Sequence, residues 1–167
     1  MYRQLFPVKE GRLSFCMFEN REQIQSAISA RPELFYFSAW EHELYEPYCN
    51  DFGPSELGSV ATFCRHVRTM MHDPRLATRH LVFYCEADTA HVTNAAFLLG
   101  AYLVAVEGLA APDAAAPLLR IQPTPFKMFR DADFVASDFD LSIQDCLQGL
   151  ESAIDAGWFA VDLSHHP

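Results

Sequence analysis

Basic side chains are scarce in this chain. It carries 12 Lys and Arg residues against 22 Asp and Glu residues, which gives a formal net charge of −10. Binding to nucleic acid is therefore not expected, because a phosphate backbone requires a basic face. An acidic surface suits basic peptide segments, and part of this charge serves solubility alone.

Cysteine pairs with metal-ligand or disulfide spacing are missing. The cysteines are odd in number and widely scattered, and none belongs to a C-x-x-C pair: Cys16, Cys49, Cys64, Cys85 and Cys146. This pattern argues against a disulfide framework and against a structural zinc site. We expect reduced thiols, no bound metal and no organic cofactor.

Long apolar segments are absent as well. Residues 1–7 lack the apolar core of a signal peptide, and the apolar run at 95–106 is too short to span a bilayer. We therefore expect a soluble intracellular protein, cytoplasmic and/or nuclear, with no membrane partner. The 167 residues, half of them hydrophobic, suffice for one domain with a full core, and we assign residues 1–167 to it.

The most informative pattern is a predicted strand, loop and helix. Leu81–Cys85 is fully apolar, as in a buried central strand, and 94–106 reads as a buried helix. Cysteine-dependent phosphatases build their phosphate cradle in this order, with loop N–H groups and the helix N-terminus facing the anion. The intervening loop, Glu86–Thr93, has two carboxylates and no arginine. The sequence thus predicts a cradle without its chemistry.

Strand and helix patterns alternate along the rest of the chain. Strands are predicted at Arg12–Phe18 and Leu34–Phe37, and residues 19–31 form a short helix or a loop. Proline and glycine positions mark three further helices. The first begins at Pro54 and ends at Asp73-Pro74, the second begins at Ala111, and the third begins near Asp138. The third helix has Gly157 beyond its end and an apolar stripe of Ile143, Leu147, Leu150 and Ile154. The fold class is α/β, a central mostly parallel sheet flanked by helices.

Several ordered motifs resemble one family. The chain is similar to the N-terminal domain of the Cdc-fourteen-type dual-specificity protein phosphatases, which reverse cyclin-dependent-kinase phosphorylation late in mitosis. The resemblance covers about residues 11–159. It rests on Tyr36-Phe37-Ser38, Tyr45-Glu46, Asp51-Phe52-Gly53-Pro54, Asn94-Ala95-Ala96-Phe97-Leu98, Gly100-Ala101-Tyr102, Pro125-Phe126, Phe129-Arg130-Asp131-Ala132 and Asp145-Cys146-Leu147-Gln148-Gly149.

The resemblance implies one half of a tandem of two phosphatase-like folds. In that family the first fold lacks catalytic residues, and the second carries a His-Cys-x5-Arg signature and performs the reaction. The present chain ends about where the link to the second fold would begin. Two explanations stay open: an excised fragment, whose partner is the C-terminal catalytic domain, and a naturally short homologue.

The predicted loop is a degenerate phosphate loop. With the register anchored on the helix, Asn94 takes the place of the arginine and Asp88 that of the nucleophilic cysteine. A carboxylate there repels a phosphate dianion by about 4 kcal/mol per unit-charge pair at 4 Å and a dielectric of 20. We expect no catalytic residue in this chain. In a rival register, Cys85 and His91 mimic the signature spacing, but Cys85 at a strand end beside Glu86 is expected to be an inert, protonated thiol.

The resemblance also implies a role in substrate selection. In the family, an acidic groove near the junction of the two folds accepts the basic residue that follows phosphoserine-proline in phosphoprotein substrates. Our hypothesis is that Glu46, Asp51, Asp131 and Asp133 contribute to such a groove. The alternatives are a solvated acidic surface, Asp51 as a cap for the helix at Pro54, and Asp131 paired with Arg130 or capping a turn.

Three functions follow from this reading. The leading one is a non-catalytic domain with structural and substrate-selecting roles. The first alternative is a stand-alone pseudophosphatase that binds basic segments, and the second is a thiol hydrolase that uses Cys85.

Overall fold

A four-stranded sheet forms the centre of the fold. The computed structural model describes residues 4–39, 51–132 and 135–163. The sheet has the order β1-β2-β4-β3, with β1 antiparallel to β2 and the other pairs parallel. The strands are β1 (Phe6–Lys9), β2 (Leu13–Phe18), β3 (Leu34–Phe37) and β4 (His80–Glu86). The predicted α/β class with a mostly parallel sheet is confirmed.

Helices cover both faces of the sheet. On one face lies α1; the other four helices pack against the opposite face and one another. They are α1 (Arg21–Ala30), α2 (Leu57–His72), α3 (Thr89–Ala105), α4 (Ala111–Leu119) and α5 (Ile143–Asp155), with a short 3-10 turn at Pro74–Leu76 and a small hairpin of β5 (Phe129–Arg130) and β6 (Asp140–Leu141).

Side chains of the central strands alternate between two apolar clusters. Leu81 and Phe83 of β4 point into the main core, whereas Val82 points to the cluster under α1. Phe83 has aromatic neighbours in the main core, with its ring centroid 5.0 Å from Phe63 and 5.3 Å from Phe37. Apolar residues on both faces explain why β4 reads as an unbroken hydrophobic run.

The helix α3 is the centre of the main core. Between Val92 and Val104 its side chains are buried nearly all round, as the long apolar run predicts. Gly100 permits close contact with α5, because a Cβ atom at this position would lie 2.6 Å from Cδ1 of Leu147. The predicted stripe on α5 is confirmed, with Ile143, Leu147 and Leu150 buried.

Two helices outside the strand–helix junction begin later than predicted. The second helix begins at Leu57 rather than Pro54, because Gly53 and Ser55 are hydrogen-bonded to α3 in a non-helical segment. The last helix begins at Ile143 rather than near Asp138, because β6 precedes it and Ser142 caps it. The Ser142 hydroxyl accepts from the Asp145 backbone N–H at 3.1 Å, and the Asp145 carboxylate accepts from the Ser142 N–H at 2.8 Å.

Other boundaries agree with the sequence. Residues 19–31, left open between helix and loop, hold α1, whose N-cap Asn20 accepts from the Gln23 N–H. Gly157 follows the end of α5 with φ of +73°, a backbone conformation that favours glycine. The strand β1 was not predicted; its proline suits an edge position, where one row of N–H groups needs no strand partner.

A half-buried carboxylate joins β1 to the end of α3. Glu107 accepts a hydrogen bond from the buried Tyr102 hydroxyl and another from Lys9 Nζ, each at 2.6 Å. Burial alone would raise the pKa of Glu107, but the hydrogen bonds from Lys9 and Tyr102 outweigh it and hold the pKa below its ordinary value.

No helix within residues 4–39, 51–132 and 135–163 has the length and apolar character needed to cross a membrane.

Candidate functional site: a strand–helix junction and an acidic bridge

The junction between β4 and α3 is much shorter than predicted. The strand runs through Glu86 and the helix begins at Thr89, so that only Ala87 and Asp88 separate them. The predicted loop Glu86–Thr93 is therefore wrong, because its second half is the first turn of α3. Ala87 is itself held to the sheet, since its N–H donates to the Phe18 carbonyl at 2.7 Å.

The N-terminus of α3 is capped by its own carboxylate. Asp88 Oδ1 accepts hydrogen bonds from the backbone N–H groups of Ala90 at 3.0 Å and His91 at 3.3 Å. The ring Nδ1 of His91 also lies 3.3 Å from this oxygen. In a phosphate cradle, such N–H groups would face the bound anion. Here the Asp88 carboxylate already occupies two of them.

Asn94 is a buried structural side chain. It is 3% exposed and lies in the second turn of α3. Its Oδ1 accepts from the Ser55 backbone N–H at 2.7 Å and from the Ser55 hydroxyl at 3.2 Å, and its Nδ2 donates to the Gly53 carbonyl at 3.1 Å. These bonds hold the segment before α2 against α3. Ser55 was not predicted as a partner of Asn94, although Gly53 belongs to one of the family motifs.

Cys85 is poorly suited to act as a nucleophile. Burial raises the pKa of its thiol to about 12, and Cys16, Asp88 and Glu86 add to the shift in that order. The expected protonated thiol is therefore supported, with burial rather than Glu86 as the main cause. A nucleophilic cysteine needs the opposite shift, because the reactive species is the thiolate.

A crevice of about 600 Å³ adjoins this junction at the carboxyl edge of β3 and β4. One wall comes from α1, through Ile24 and Ile28, and another from α3, through Ala95 and Leu98. Cys85 also lines it. Ligands of open α/β sheets bind at this edge. The lining is mixed, however, because it also includes the polar side chains of Arg21, Gln25 and His91 and the carboxylate of Glu86.

A backbone bridge brings two of the predicted groove acids together. Phe52 and Arg130 exchange two backbone hydrogen bonds, of 3.2 and 2.7 Å, in an antiparallel bridge. Asp51 precedes Phe52 and Asp131 follows Arg130, so the two aspartates flank the bridge on the same side and face each other across it. Glu46 and Asp133 lie outside the described residues.

The alternatives for these aspartates are partly settled. Asp51 does not cap α2, whose N-cap residue is Glu56. Asp131 accepts a hydrogen bond from the Ser137 hydroxyl at 3.2 Å, which joins it to the segment before β6. Asp131 is exposed, and Asp51 is half-buried.

Cations and aromatic rings surround the same bridge. The Phe52 and Phe129 rings lie 5.1 Å apart, and Lys127 Nζ lies 5.4 Å from the centre of the Phe52 ring. The guanidinium of Arg130 donates to the Val135 carbonyl at 2.7 Å. An incoming basic residue would therefore meet the two aspartates next to two resident cations.

The family model described as "Dual specificity protein phosphatase, N-terminal half" matches residues 7–153. The chain belongs to this family. The match agrees with the resemblance seen in the motifs and with the mixed α/β architecture.

Similar relatives carry CDC14 names. The chain is 34% identical over 150 residues to "Dual specificity protein phosphatase CDC14A" of Mus musculus, covering 90% of this chain and 24% of that protein. It is 33% identical over 125 residues to "Tyrosine-protein phosphatase CDC14" of Saccharomyces cerevisiae, covering 75% and 22%. It is 36% identical over 121 residues to the "Tyrosine-protein phosphatase CDC14 homolog" of Schizosaccharomyces pombe, covering 71% and 22%. The chain thus spans about a quarter of the length of these curated relatives.

Proposed function

We propose that this CDC14-type domain is non-catalytic and serves structure and substrate selection in a dual-specificity phosphatase. The observation that supports this most directly is the Asp88 cap, since its carboxylate holds the N–H groups of Ala90 and His91. A phosphate dianion at this place would have to displace the cap.

Electrostatics oppose that displacement. A phosphate charge 4 Å from the Asp88 carboxylate meets about 4 kcal/mol of repulsion at a dielectric of 20. The position that would carry a clamping arginine holds Asn94, whose amide is already hydrogen-bonded on both its oxygen and its nitrogen. Asp88 and Asn94 therefore supply neither the positive charge nor the free hydrogen-bond donors that a phosphoryl group needs.

The rival thiol hydrolase is disfavoured by the raised pKa of Cys85. With a pKa of about 12, the thiolate is a minute fraction at neutral pH. No cysteine in the sequence has an arginine at the signature spacing of five intervening residues.

Aryl phosphate turnover and tungstate binding test the non-catalytic role. The 167-residue chain should not hydrolyse a chromogenic aryl phosphate, and the Cys85→Ser variant should match it. Millimolar tungstate should leave the NMR amide signals of Ala90 and His91 unchanged. Turnover that disappears in Cys85→Ser, or saturable tungstate shifts at these amides, would refute the proposal.

The substrate-selecting role is proposed for the acids near the Phe52–Arg130 bridge. Asp51 and Asp131 flank this bridge, and Glu46 and Asp133 are the further members of the proposed groove. Two carboxylates on the same side of one bridge attract a cation together, so we expect them to bind a Lys or Arg of a phosphoprotein substrate through charge-assisted hydrogen bonds.

Peptide binding tests the groove. A phosphoserine-proline peptide with a downstream lysine should bind the chain more tightly than the same peptide with norleucine. In Asp51→Asn/Asp131→Asn this preference should fall by roughly 3–10-fold, as expected for two charge contacts at the protein surface. Glu10→Gln removes an exposed acid elsewhere and should leave the preference intact. Equal loss of preference in Glu10→Gln would refute the groove, because it would trace the effect to net charge alone.

The proposed setting is a parent enzyme with a C-terminal catalytic half, acting on phosphoproteins of the cell cycle and mitotic exit in the cytoplasm or nucleus. The alternative is a stand-alone pseudophosphatase that binds basic segments. A His-Cys-x5-Arg segment downstream in the same reading frame decides for the first, and a stop codon before one decides for the second.

A further inference from the structure

The segment between α4 and β5 carries an unusual dipeptide. Thr124-Pro125 is the one place in the sequence where a Ser or Thr precedes a proline, and Lys127 stands three residues after the threonine. The segment has no regular secondary structure from Ile121 to Met128. Neither the fold nor the proposed function gives this dipeptide a role.

The threonine lies on an exposed stretch between two anchors. Ile121 is buried, with 2% of its surface exposed, and the Lys127 N–H donates to the Thr93 hydroxyl at 2.9 Å. Between these points Pro123 and Thr124 are exposed. A kinase can therefore reach the Thr124 hydroxyl while the anchors hold the rest of the fold.

The local charge favours an added phosphate. No acidic residue occurs from Ala114 to Arg130, although the whole chain has a net charge of −10. The same stretch contains the cations Arg120, Lys127 and Arg130. A phosphothreonine, which adds a charge of about −1.5 to −2, would thus meet cations and no near neighbour of its own sign in the sequence.

We propose that Thr124 is a phosphorylation site for a proline-directed protein kinase that prefers a basic residue three positions later. In this step the Thr124 hydroxyl oxygen attacks the γ-phosphorus of Mg-ATP. The bond from that phosphorus to the β–γ bridging oxygen breaks, ADP leaves, and the hydroxyl proton passes to the catalytic base of the kinase. This site goes beyond the proposed function and does not depend on it.

Pro125 and Lys127 supply the specificity. Proline has no backbone N–H, so a kinase pocket without an acceptor at this position receives it at no cost and penalises other residues. Lys127 offers a cation to an anionic group of the kinase. Its ammonium lies 5.4 Å from the centre of the Phe52 ring. An exposed cation–π contact contributes little free energy, so the kinase can displace Lys127 from the ring easily.

The phosphate would also act on Lys127 within the folded chain. The Thr124 hydroxyl accepts from the Phe126 N–H at 3.4 Å, so its oxygen lies next to the residue that precedes Lys127. A phosphate at this oxygen is a stronger partner for an ammonium than an aromatic ring. Phosphorylation would therefore move the Lys127 ammonium away from the Phe52 ring. Because Phe52 directly follows Asp51, this movement would remove a cation from the proposed groove.

Phosphorylation of the folded 167-residue chain tests the site. The chain is incubated with such a kinase and Mg-ATP, and the products are mapped by mass spectrometry. One phosphoryl group is expected, on Thr124. Thr124→Ala should accept none, whereas Thr78→Ala, which removes another exposed threonine, should be phosphorylated like the wild type. Lys127→Ala should react roughly tenfold more slowly, the loss expected for one charge-assisted contact.

A synthetic peptide of residues 118–130 is the parallel substrate. Phosphorylation of both peptide and protein at Thr124 supports the site. If the peptide reacts and the folded protein does not, the segment is inaccessible and the proposal is wrong; if neither reacts, the motif is not read and the proposal is equally wrong. In the phosphorylated protein, unchanged NMR signals of the Phe52 ring would refute the transfer of Lys127 to the phosphate.

Discussion

Replacing Asn94 with alanine should lower the free energy of unfolding by about 2–3 kcal/mol. The buried amide makes three hydrogen bonds of 2.7 to 3.2 Å, to Ser55 and Gly53. At about 1 kcal/mol each they contribute about 3 kcal/mol, and the better helix propensity of alanine returns about 0.5 kcal/mol. For a chain of this length the melting temperature should drop by roughly 4–12 °C.

Guanidinium unfolding at neutral pH, followed by circular dichroism, measures this loss. The matched control is Gln148→Ala, an exposed amide on α5, which should stay within about 0.5 kcal/mol of the wild type. If Asn94→Ala is as stable as this control, the amide does not secure the segment before α2, and the structural account of Asn94 is wrong.

Asn94→Arg separates the structural role from a residual phosphate site. A guanidinium cannot accept the hydrogen bonds from Ser55, so this variant should be less stable than Asn94→Ala. It should also gain no affinity for tungstate, because the Asp88 cap is still in place. Tungstate binding by a folded Asn94→Arg protein would show that the junction retains an anion cradle.

Three further outcomes follow from the contacts described above. Gly100→Ala should lower the free energy of unfolding by about 1–3 kcal/mol, because the new methyl group contacts Leu147. Gly149→Ala, which has open space around it, should instead raise it by up to about 1 kcal/mol. Equal effects of the two substitutions would contradict the close contact between the helices. Alkylation of Cys85 by iodoacetamide in the folded protein should accelerate about tenfold per pH unit from about pH 7 to 10, and a plateau near pH 9 would contradict a pKa of about 12. The lowered pKa of Glu107 stabilises the fold above a pH of about 4.3, and this contribution disappears as the pH falls through the folded-state pKa. Unfolding of Glu107→Gln between about pH 3 and 6 should therefore depend less on pH than that of the wild type.

The central elements of the fold could be predicted because their burial produces local patterns of apolar residues in the sequence. The strand β4 is buried on both faces, and the helix α3 is buried nearly all round. Polar residues are rare at such positions, so each element appears in the sequence as an unbroken apolar run. The stripe of α5 follows helical spacing, and Gly157 marks its end. Such signals need no knowledge of distant partners.

The starts of the helices were harder to predict, because capping residues are polar and resemble the polar residues of loops. Ser142 and Asp145 form a capping box whose spacing is visible in the sequence, and this pattern could have placed the start of α5. In the same way, Asp88 ahead of Thr89 could have been read as an N-cap. The resemblance to a phosphate cradle favoured a longer loop instead.

The role of Asn94 depends on partners far away in the chain. Ser55 lies 39 residues and Gly53 lies 41 residues before it. No periodicity or spacing rule connects a helical asparagine with such a segment. The adjacency of Asp51 and Asp131 has the same origin, because the bridge between Phe52 and Arg130 joins two irregular segments. These parts of the candidate site are products of tertiary structure.

The Asp88 cap also explains how the junction remains stable without a bound anion. A helix N-terminus gains from a negative group near its N–H donors, and a phosphate can be that group in a cradle. Here the chain supplies its own carboxylate, which contributes about 1 kcal/mol as a cap and needs no ligand. Binding of a phosphate would remove the stabilisation that the cap provides, and the displaced carboxylate would still repel the phosphate. The scaffold is thereby stabilised in a form that disfavours phosphate, which supports our proposal that catalysis takes place outside this domain.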